Sequence, residues 1–476
     1  MSKTVNKRSK AMADMVEAAK KGRALMGGTD TMRTAGDTYL PKFKAEQDAD
    51  YQARLHSSWL FNGMRKTVKD MTGRVFTKAI TIVNGSPRLQ EFATDINMQG
   101  QDLSAFASDV FKDAFLPGIS FIMVDAPRRD GETTRAQATS LGLRPYMVHL
   151  RVEDILGFKT ELFNNVLALS MLRILESVTE NDPKDEFTQI NVDQVRVLTR
   201  EVSTVSVRIY RKNDKDEWLV VDEYQTNAEE ITVIPFYAQR TGFFTAEPVL
   251  EDLADVNIAH WQSQSDQRHI LHFARVPILF ASGRGEDEPL VISASQAVTS
   301  RDADAKLEWV EHSGQAIGAG RTDLQDLQYQ MQALGLQLLV ASHETATGAV
   351  LDSTKETSTL SMMADNLKDA LEQALTWVAF YAGEPEQNIT VEVNKDFGIV
   401  PLTAQEVQVM QQDVALGLLS KEAYYAERIR RGFLSPDLDT QADMDIIASA
   451  PPDLQGEGLD LSGPSGVDRA IAAFNG

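Results

Sequence analysis

The sequence predicts an α+β chain, with a mixed α/β region first and long helices around a small insert second. Three observations carry this. Between residues 165 and 240 apolar and polar side chains alternate, as in VRVLTREVSTVSVRIYRK and EWLVVDEYQ. That is the pattern of antiparallel strands with one wet face. After Thr245 the apolar period changes to that of helices. The helical stretches are then separated by a short segment with an apolar strand (VPILFAS), an acidic turn (GRGEDEP) and a glycine-rich end (SGQAIGAG).

The elements follow in order. In 39–76, Pro41 breaks the chain. Tyr51, Leu55, Trp59, Met64, Val68 and Met71 then recur at helical spacing up to Gly73, which reads as a C-cap. This is one amphipathic helix or two. Leu103, Phe106, Val110, Phe111 and Ala114 predict a helix stopped by Pro117-Gly118, and ISFIMVDAP a buried strand. Residues 128–142 are a polar loop, and NDKDE is a hairpin turn between two strands. ITVIPFYA is a strand interrupted at Pro235.

Thr245 and Pro248 suit an N-cap and first turn for a helix running to about His272. Its middle is polar: Asn257, His260, Gln262 and residues 263–267. Such a helix is expected to pack on equivalent helices or line a wet channel. A second long helix is expected at 321–345, with Leu324, Leu327, Met331, Leu334 and Leu338 on one seam. Each would reach roughly 37–40 Å at ~1.5 Å per residue. A third, at 356–382, carries Leu360, Met363, Leu367, Leu371, Ala374, Val378 and Tyr381 on one face and stops at Gly383. NITVEVNKDFG is a strand, and two short helices split near Gly417 follow.

The chain has 476 residues, enough for roughly two to four domains. It has no cysteine, which excludes disulfides, thiol catalysis and cysteine-based metal sites. No stretch approaches the ~18 apolar residues of a membrane span. No apolar run follows the basic start MSKTVNKRSK, so a secretory signal is not expected.

Net charge is −22. A protein that gripped DNA through its phosphates would need a basic field, whereas an acidic wall would let DNA slide. Residues 1–30 hold seven Lys/Arg against three Asp/Glu, the expected signature of a mobile basic arm. Between Arg431 and Arg469 there are eight Asp/Glu and no Lys or Arg, and this tail is expected to be disordered.

Enzyme signals are missing. There is no G-x-x-x-x-G-K-[ST] loop and no G-x-S-x-G elbow. Asp125 ends an apolar strand as a metal-binding aspartate can, but Ala126-Pro127 follow and no phosphate loop accompanies it. Gly318 and Gly320 lack the third glycine and βαβ context of a dinucleotide site. Asp266, His269 and His272 sit in steps of three on one helix; two could meet one ion, but three such positions drift around the helix. Packing or hydrogen bonding is the better reading, and no metal or cofactor is expected. Arg284-Gly285-Glu286-Asp287-Glu288 reads as a solvated turn, or a docking tip on an exposed insert.

Four segments taken together resemble the portal proteins of tailed bacteriophages, in particular a portal-like family long labelled as of unknown function. They are YLPKFKAEQDADYQARLHSSWLFNGMRKTVKDMTGRVF, GISFIMVDAP, EPVLEDLADVNIAHWQSQSDQRHILHFARVPILFASG, and HETATGAVLD leading into LSMMADNLKDALEQAL. The third is the most specific, and the resemblance covers about residues 30–445.

It implies a portal fold: a flexible arm (1–30), an α/β wing (31–245), stem helices (246–275 and 321–345) and a clip between them (276–320). A tunnel loop (346–355), a tunnel helix with a wing strand (356–400), crown helices (401–450) and an acidic tail (451–476) complete it. It further implies a non-enzymatic ring, usually of twelve subunits, at one capsid vertex of the virion and assembled in a host cytoplasm. Double-stranded DNA would pass through it without sequence specificity. Terminase, major capsid and scaffold proteins and a head–tail adaptor would dock on it, and no membrane is involved.

The resemblance places stem packing on Leu253, Val256, Trp261, Leu327, Met331, Leu334 and Leu338. It places the channel loop on Thr345, Thr347, Gly348, Asp352, Ser353 and Lys355, and clip docking on Arg284, Glu286, Asp287 and Glu288. The competing readings are another virion structural protein, such as an adaptor or capsid-associated subunit, and a packaging enzyme, which the missing phosphate loop disfavours.

Overall fold

In the computed structural model the described residues are 4–127, 142–182, 185–213, 215–275, 278–282, 304, 306–310, 315–337, 358–384, 388–395, 397, 410–414, 416, 418–430, 434 and 438–449. The chain divides into two compact units, Met1–Lys395 and Asp396–Gly476. Among the described residues the second unit holds two ten-residue helices whose ranges are given below. The first unit contains everything else that follows.

The alternation in the middle of the chain becomes a five-stranded antiparallel meander, in spatial order β4 (Ile155–Phe163), β5 (Val166–Asn181), β6 (Gln189–Arg200), β7 (Val205–Lys212) and β8 (Trp218–Thr226). A second sheet sets β2 (Ile119–Asp125) between β3 (Tyr146–Leu150) and β9 (Val233–Tyr237). β1 (Thr81–Asn84) pairs with β14 (Thr390–Glu392), and two short hairpins, β10 (Arg240–Gly242) with β11 (Thr245–Ala246) and β12 (Ile278–Ser282) with β13 (Lys306–Val310), complete the strands.

β2 is central and buried from Ile119 to Val124, which is why it reads as an uninterrupted apolar run. Pro235 does not interrupt its strand: it lies within β9, opposite Phe121. β9 is at the edge of its sheet, where a missing N–H costs no ladder bond. Ile119, Phe121, Leu172, Ile174, Val205, Val207 and Phe244 pack into one core.

Pro117-Gly118 is the hinge between α6 (Leu103–Ala114) and β2. Gly118 has φ +81, and a Cβ there would sit 1.9 Å from the Glu247 carbonyl oxygen. Its own carbonyl accepts from the Ala238 and Gln239 N–H groups at 2.8 and 3.0 Å. Backbone meets backbone here, and only glycine fits.

The remaining helices of the first unit are α1 (Lys10–Gly27), α2 (Thr29–Ala35), α3 (Asp48–Ser57), α4 (Gly63–Val75), α5 (Pro87–Ala93), α7 (Glu251–Ala274), α8 (Gln315–Gln337) and α9 (Thr359–Ala382). In the second unit, α10 (Lys421–Arg430) and α11 (Thr440–Ser449) are tied by the Tyr425 hydroxyl donating to Asp443 Oδ2 at 2.5 Å.

α9 matches its expectation closely. Ser358 Oγ accepts from the Ser361 N–H, Gly383 closes the helix in the left-handed region, and the predicted face from Leu360 to Val378 is buried. Helix boundaries elsewhere differ. α4 runs past Gly73 to Val75. Thr245 belongs to β11 and is not an N-cap, since α7 starts at Glu251. α8 begins at Gln315, inside the segment assigned to the insert.

The largest departure is the amino-terminal segment. It is not a free basic arm. Met12 and Leu25 are fully buried on α1, and α1 packs against α2, α4, α7, β4 and β11. Several of the basic residues that suggested an arm are committed within the chain. Arg8 donates to the carbonyls of Val152, Glu153 and Ile155 at 3.2, 2.7 and 2.7 Å. Arg23 donates to both Glu153 oxygens at 2.8 Å and to Asp113 at 2.5 Å. Lys21 reaches Asp255 at 2.7 Å.

Asp113 is nearly fully buried. Burial would push its carboxyl up, but His149 and Arg23 outweigh it and hold it below the usual carboxylate range. Charge counting alone could not reveal that these cations have internal partners. Truncation of Leu25 to Ala is expected to cost about 2–5 kcal/mol in a urea unfolding curve; an unchanged midpoint and slope would mean that the segment is not docked.

Candidate functional site: the paired long helices

α7 and α8 have 24 and 23 residues and reach about 35 Å each. The hairpin β12–β13 lies between them in sequence. They run antiparallel, because rising positions on α7 meet falling positions on α8. His260 meets Gln328, Ser263 meets Asp323, and Gln267 meets Ile317.

One face of the polar middle of α7 is buried inside the chain, while Gln262, Ser263, Gln264 and Asp266 are partly exposed. Asn257 and His260 are fully buried, as is Trp261 beside them; Ser265 is 1% exposed and Gln267 8%. Burying such groups is costly unless each finds a partner. Asn257 supplies the clearest solution. Its Oδ1 accepts from the Met64 N–H at 2.9 Å, and its Nδ2 donates to the Phe61 carbonyl at 2.8 Å. The first N–H groups of α4 have no partner within their own helix. Asn62 Oδ1 takes the Arg65 N–H at 2.8 Å, and Asn257 takes the Met64 N–H across 193 positions of sequence.

The close approach depends on Gly63. A Cβ there would lie 2.7 Å from Met331 Sδ and 3.6 Å from Asn257 Oδ1. The amino end of α4 is thus wedged between α7 and α8.

Around this point the pair is joined by hydrogen bonds. Ser263 Oγ donates to Asp323 Oδ2 at 2.5 Å, Gln267 Nε2 to the Ile317 carbonyl at 2.9 Å, and Gln262 Nε2 to the Tyr39 carbonyl at 3.0 Å. Gln328 Nε2 donates to His260 Nε2 at 3.2 Å, which requires that nitrogen to be unprotonated. Burial lowers the His260 pKa in the same sense, against a smaller opposing pull from Asp323. Among the described residues, His260 Nδ1, Trp261 Nε1, Ser265 Oγ and Asp266 Oδ1 are buried with no hydrogen-bond partner.

One turn further on, Arg54 of α3 is buried against Glu46, donating at 2.7 and 2.8 Å, and donates to the Pro41 carbonyl at 2.9 Å. Its guanidinium lies 4.3 Å from the Phe43 ring centroid and 3.6 Å from Asp266. Hydrogen bonding to Arg54 holds the Glu46 carboxyl below its usual range, while burial raises that of Asp266.

Of the residues expected to pack the stem, Leu253, Trp261 and Met331 are buried within the single chain. Val256, Leu327 and Leu334 are half-buried. Leu338 lies outside the described residues, as do Thr345, Thr347, Gly348, Asp352, Ser353 and Lys355 and the tip residues Arg284, Glu286, Asp287 and Glu288. Sequence reasoning missed Gly63, Met64, Arg54 and Gln328. The available signal was Asn257, His260 and Gln267 at near-helical spacing, which marked one helix face but was read as packing on equivalent helices or lining a wet channel.

Among the described residues no group of three His, Cys, Asp or Glu side chains could hold a metal ion, and no helix is long and apolar enough to cross a membrane. The cluster of Ser120, His149 and Asp113 is not a catalytic triad. Ser120 Oγ and Asp113 both face His149 Nε2, at 2.7 and 3.7 Å, and Ser120 is fully buried. A triad needs the carboxylate on the other ring nitrogen.

Residues 249–382 match the family described as "Domain of unknown function (DUF4055)". That stretch runs from just before α7 to the end of α9 and takes in both long helices. No curated protein matches the chain. Similar solved chains come from structures described as "Virion of native gene transfer agent (GTA) particle" (12% identity, 84% of this chain and 98% of that one, TM-score 0.39), "Neck of native GTA particle computed with C12 symmetry" (10%, 82% and 90%, 0.36) and "Neck of empty GTA particle computed with C6 symmetry" (9%, 78% and 90%, 0.39). At TM-scores this low the alignments do not establish a shared fold.

Substitution of Asn257 by Ala strands the Met64 N–H and the Phe61 carbonyl. At about 1–3 kcal/mol for each buried unsatisfied group, the expected loss is about 2–6 kcal/mol in denaturant unfolding. A loss below about 0.5 kcal/mol would mean that the polar seam does not hold α4 on the helix pair.

Proposed function

We propose that this chain is the subunit of a portal-like ring in a phage-type virion, enclosing a channel through which double-stranded DNA passes. One observation supports the reading most: the long helix α8 already has a partner in α7, yet keeps apolar groups exposed on another side. Tyr329 is 68% exposed and Leu336 57%. With Gln325 and Gln332 they form a stripe at alternating spacings of four and three, and both glutamines are exposed. Exposed aromatic and aliphatic groups on a helix that its own chain has packed suit burial against another copy.

In a ring such a contact joins one face of a subunit to a different face of the next; it is then heterologous and closes when the rotation per subunit permits.

The other features fit the same role. A net charge of −22 suits a wall along which DNA moves without sticking. The segment between α8 and α9, with Thr345, Thr347, Gly348, Asp352, Ser353 and Lys355, would face the channel in this reading. Arg284, Glu286, Asp287 and Glu288, between β12 and β13, would form the tip where terminase and then a head–tail adaptor dock. Capsid and scaffold proteins would meet the α/β region. The subunit itself would perform no chemistry.

Light scattering during size-exclusion chromatography tests the reading. A subunit of 52.7 kDa in a twelvefold ring gives about 632 kDa. Leu336→Asp is expected to leave the melting temperature within about 2 °C of wild type, since the side chain is exposed in the single chain. It is expected to reduce the particle to the mass of a free subunit. A wild-type chain that stays monomeric at all concentrations, or a Leu336→Asp ring of full mass, contradicts the proposal.

A further inference from the structure

We propose that the cleft between α3 and the last two turns of α7 binds phosphate groups of a nucleic-acid backbone. The inference rests on the ring reading for its biological setting but not for its chemistry. The cleft has a volume of about 450 Å³ and is lined by Arg54 and Ser57 from α3, by Arg268, His269 and His272 from α7, and by Arg275 in the turn that follows it.

Its charge runs against the rest of the chain. Across a sequence of net charge −22, residues 267–285 contain three Arg, two His and no Asp or Glu. Arg268, His272 and Arg275 fall at steps of four and three, which puts them on one side of α7. Arg268 and Arg275 are exposed, and among the described residues neither forms an ion pair.

The carboxylates that form contacts near the cleft gather on Arg54 and not on Arg268 or Arg275. Arg54 already has Glu46 as its partner, and Asp266 lies 3.6 Å from the same guanidinium. Asp50 stands on the cleft lining, one acid facing two uncommitted guanidinium groups and two imidazoles.

Two uncommitted guanidinium groups suit a ligand with several acceptor oxygens, such as a phosphodiester. Arginine binds phosphate oxygens through paired N–H donors, and Ser57 adds a hydroxyl to the lining. With only two such arginines on the cleft lining, the contact is weak and salt-sensitive. That suits a strand that must pass and not stay.

A purely structural role is the competing account. Cations near a helix carboxyl end offset its dipole, and Arg268 to Arg275 sit in that position. The two accounts differ in what they make the arginines do to a ligand. The full-length protein is titrated into a fluorescent 30-base-pair duplex of mixed sequence at several salt concentrations, with its mass checked by light scattering.

For Arg268→Ala/Arg275→Ala, binding is expected to weaken about fivefold or more, and the slope of log affinity against log salt to fall by about one for each contact removed. Lys20→Ala, at an exposed site paired with Glu17, should leave binding unchanged. If the double alanine variant is unstable, Arg268→Gln/Arg275→Gln keeps length and polarity and should show the same loss. The proposal is overturned if the wild type does not bind duplex at 50 mM salt, or if the variants lose stability but bind as wild type does. It is equally overturned if inorganic phosphate binds while duplex does not. A monomeric chain that binds through these arginines would refute the ring alone; a ring whose affinity ignores them would refute the cleft alone.

Discussion

The first unit depends on one constraint: a long helix whose middle is polar has been buried, so its polar atoms must be met from neighbouring elements. Asn257 is the pivot. It holds the open amino end of α4 with one atom and the preceding carbonyl with another. Because a buried amide without partners is costly, the position of α4 relative to α7 is fixed in rotation and register as well as in distance. Gly63 permits the approach, and Met331 brings α8 to the same point. An apolar seam of leucines would tolerate sliding; a seam of paired amides does not.

The α/β region supplies the platform. Its core lies under β2 and the meander, and α1 closes it from the amino-terminal side while also touching α7. Arg23 links α1, α6 and the start of β4 through Asp113 and Glu153, and the buried charge of Asp113 is sustained by that arginine and His149. A buried pair of this kind is weak evidence for net stability, but removing either partner leaves an uncompensated charge. The same logic explains why the basic amino terminus is ordered: its cations complete sites in the fold.

Much of this was legible in the sequence where one physical signal dominated. α9 has an apolar face, a serine N-cap and a glycine stop, so its limits were readable to within three residues. The meander strands were readable because apolar and polar residues alternate along them, although the second face is not simply wet: Leu156, Val195, Val197 and Trp218 are buried there with Val5. The polar middle of α7 was not, because hydrophilicity along a helix does not distinguish water from a buried partner. Nothing local in Asn257 says that it will cap a helix 193 residues away. The start of α7 was misplaced because Thr245 is as good in a strand as at an N-cap, and it pairs in β11. The basic amino terminus was misread because composition records charge but not whether the fold supplies carbonyls and carboxylates to receive it.

Together these features describe a chain whose long helices are joined to each other by buried polar contacts and whose α8 stripe, with Tyr329 and Leu336, is exposed; in the proposed reading another copy covers that stripe. Electron micrographs of the purified, folded protein test that claim most directly. The account requires closed rings with an open centre wide enough for a duplex, about 20 Å across, a few times the width of a DNA groove. A field of compact, solitary particles without a central opening would contradict it.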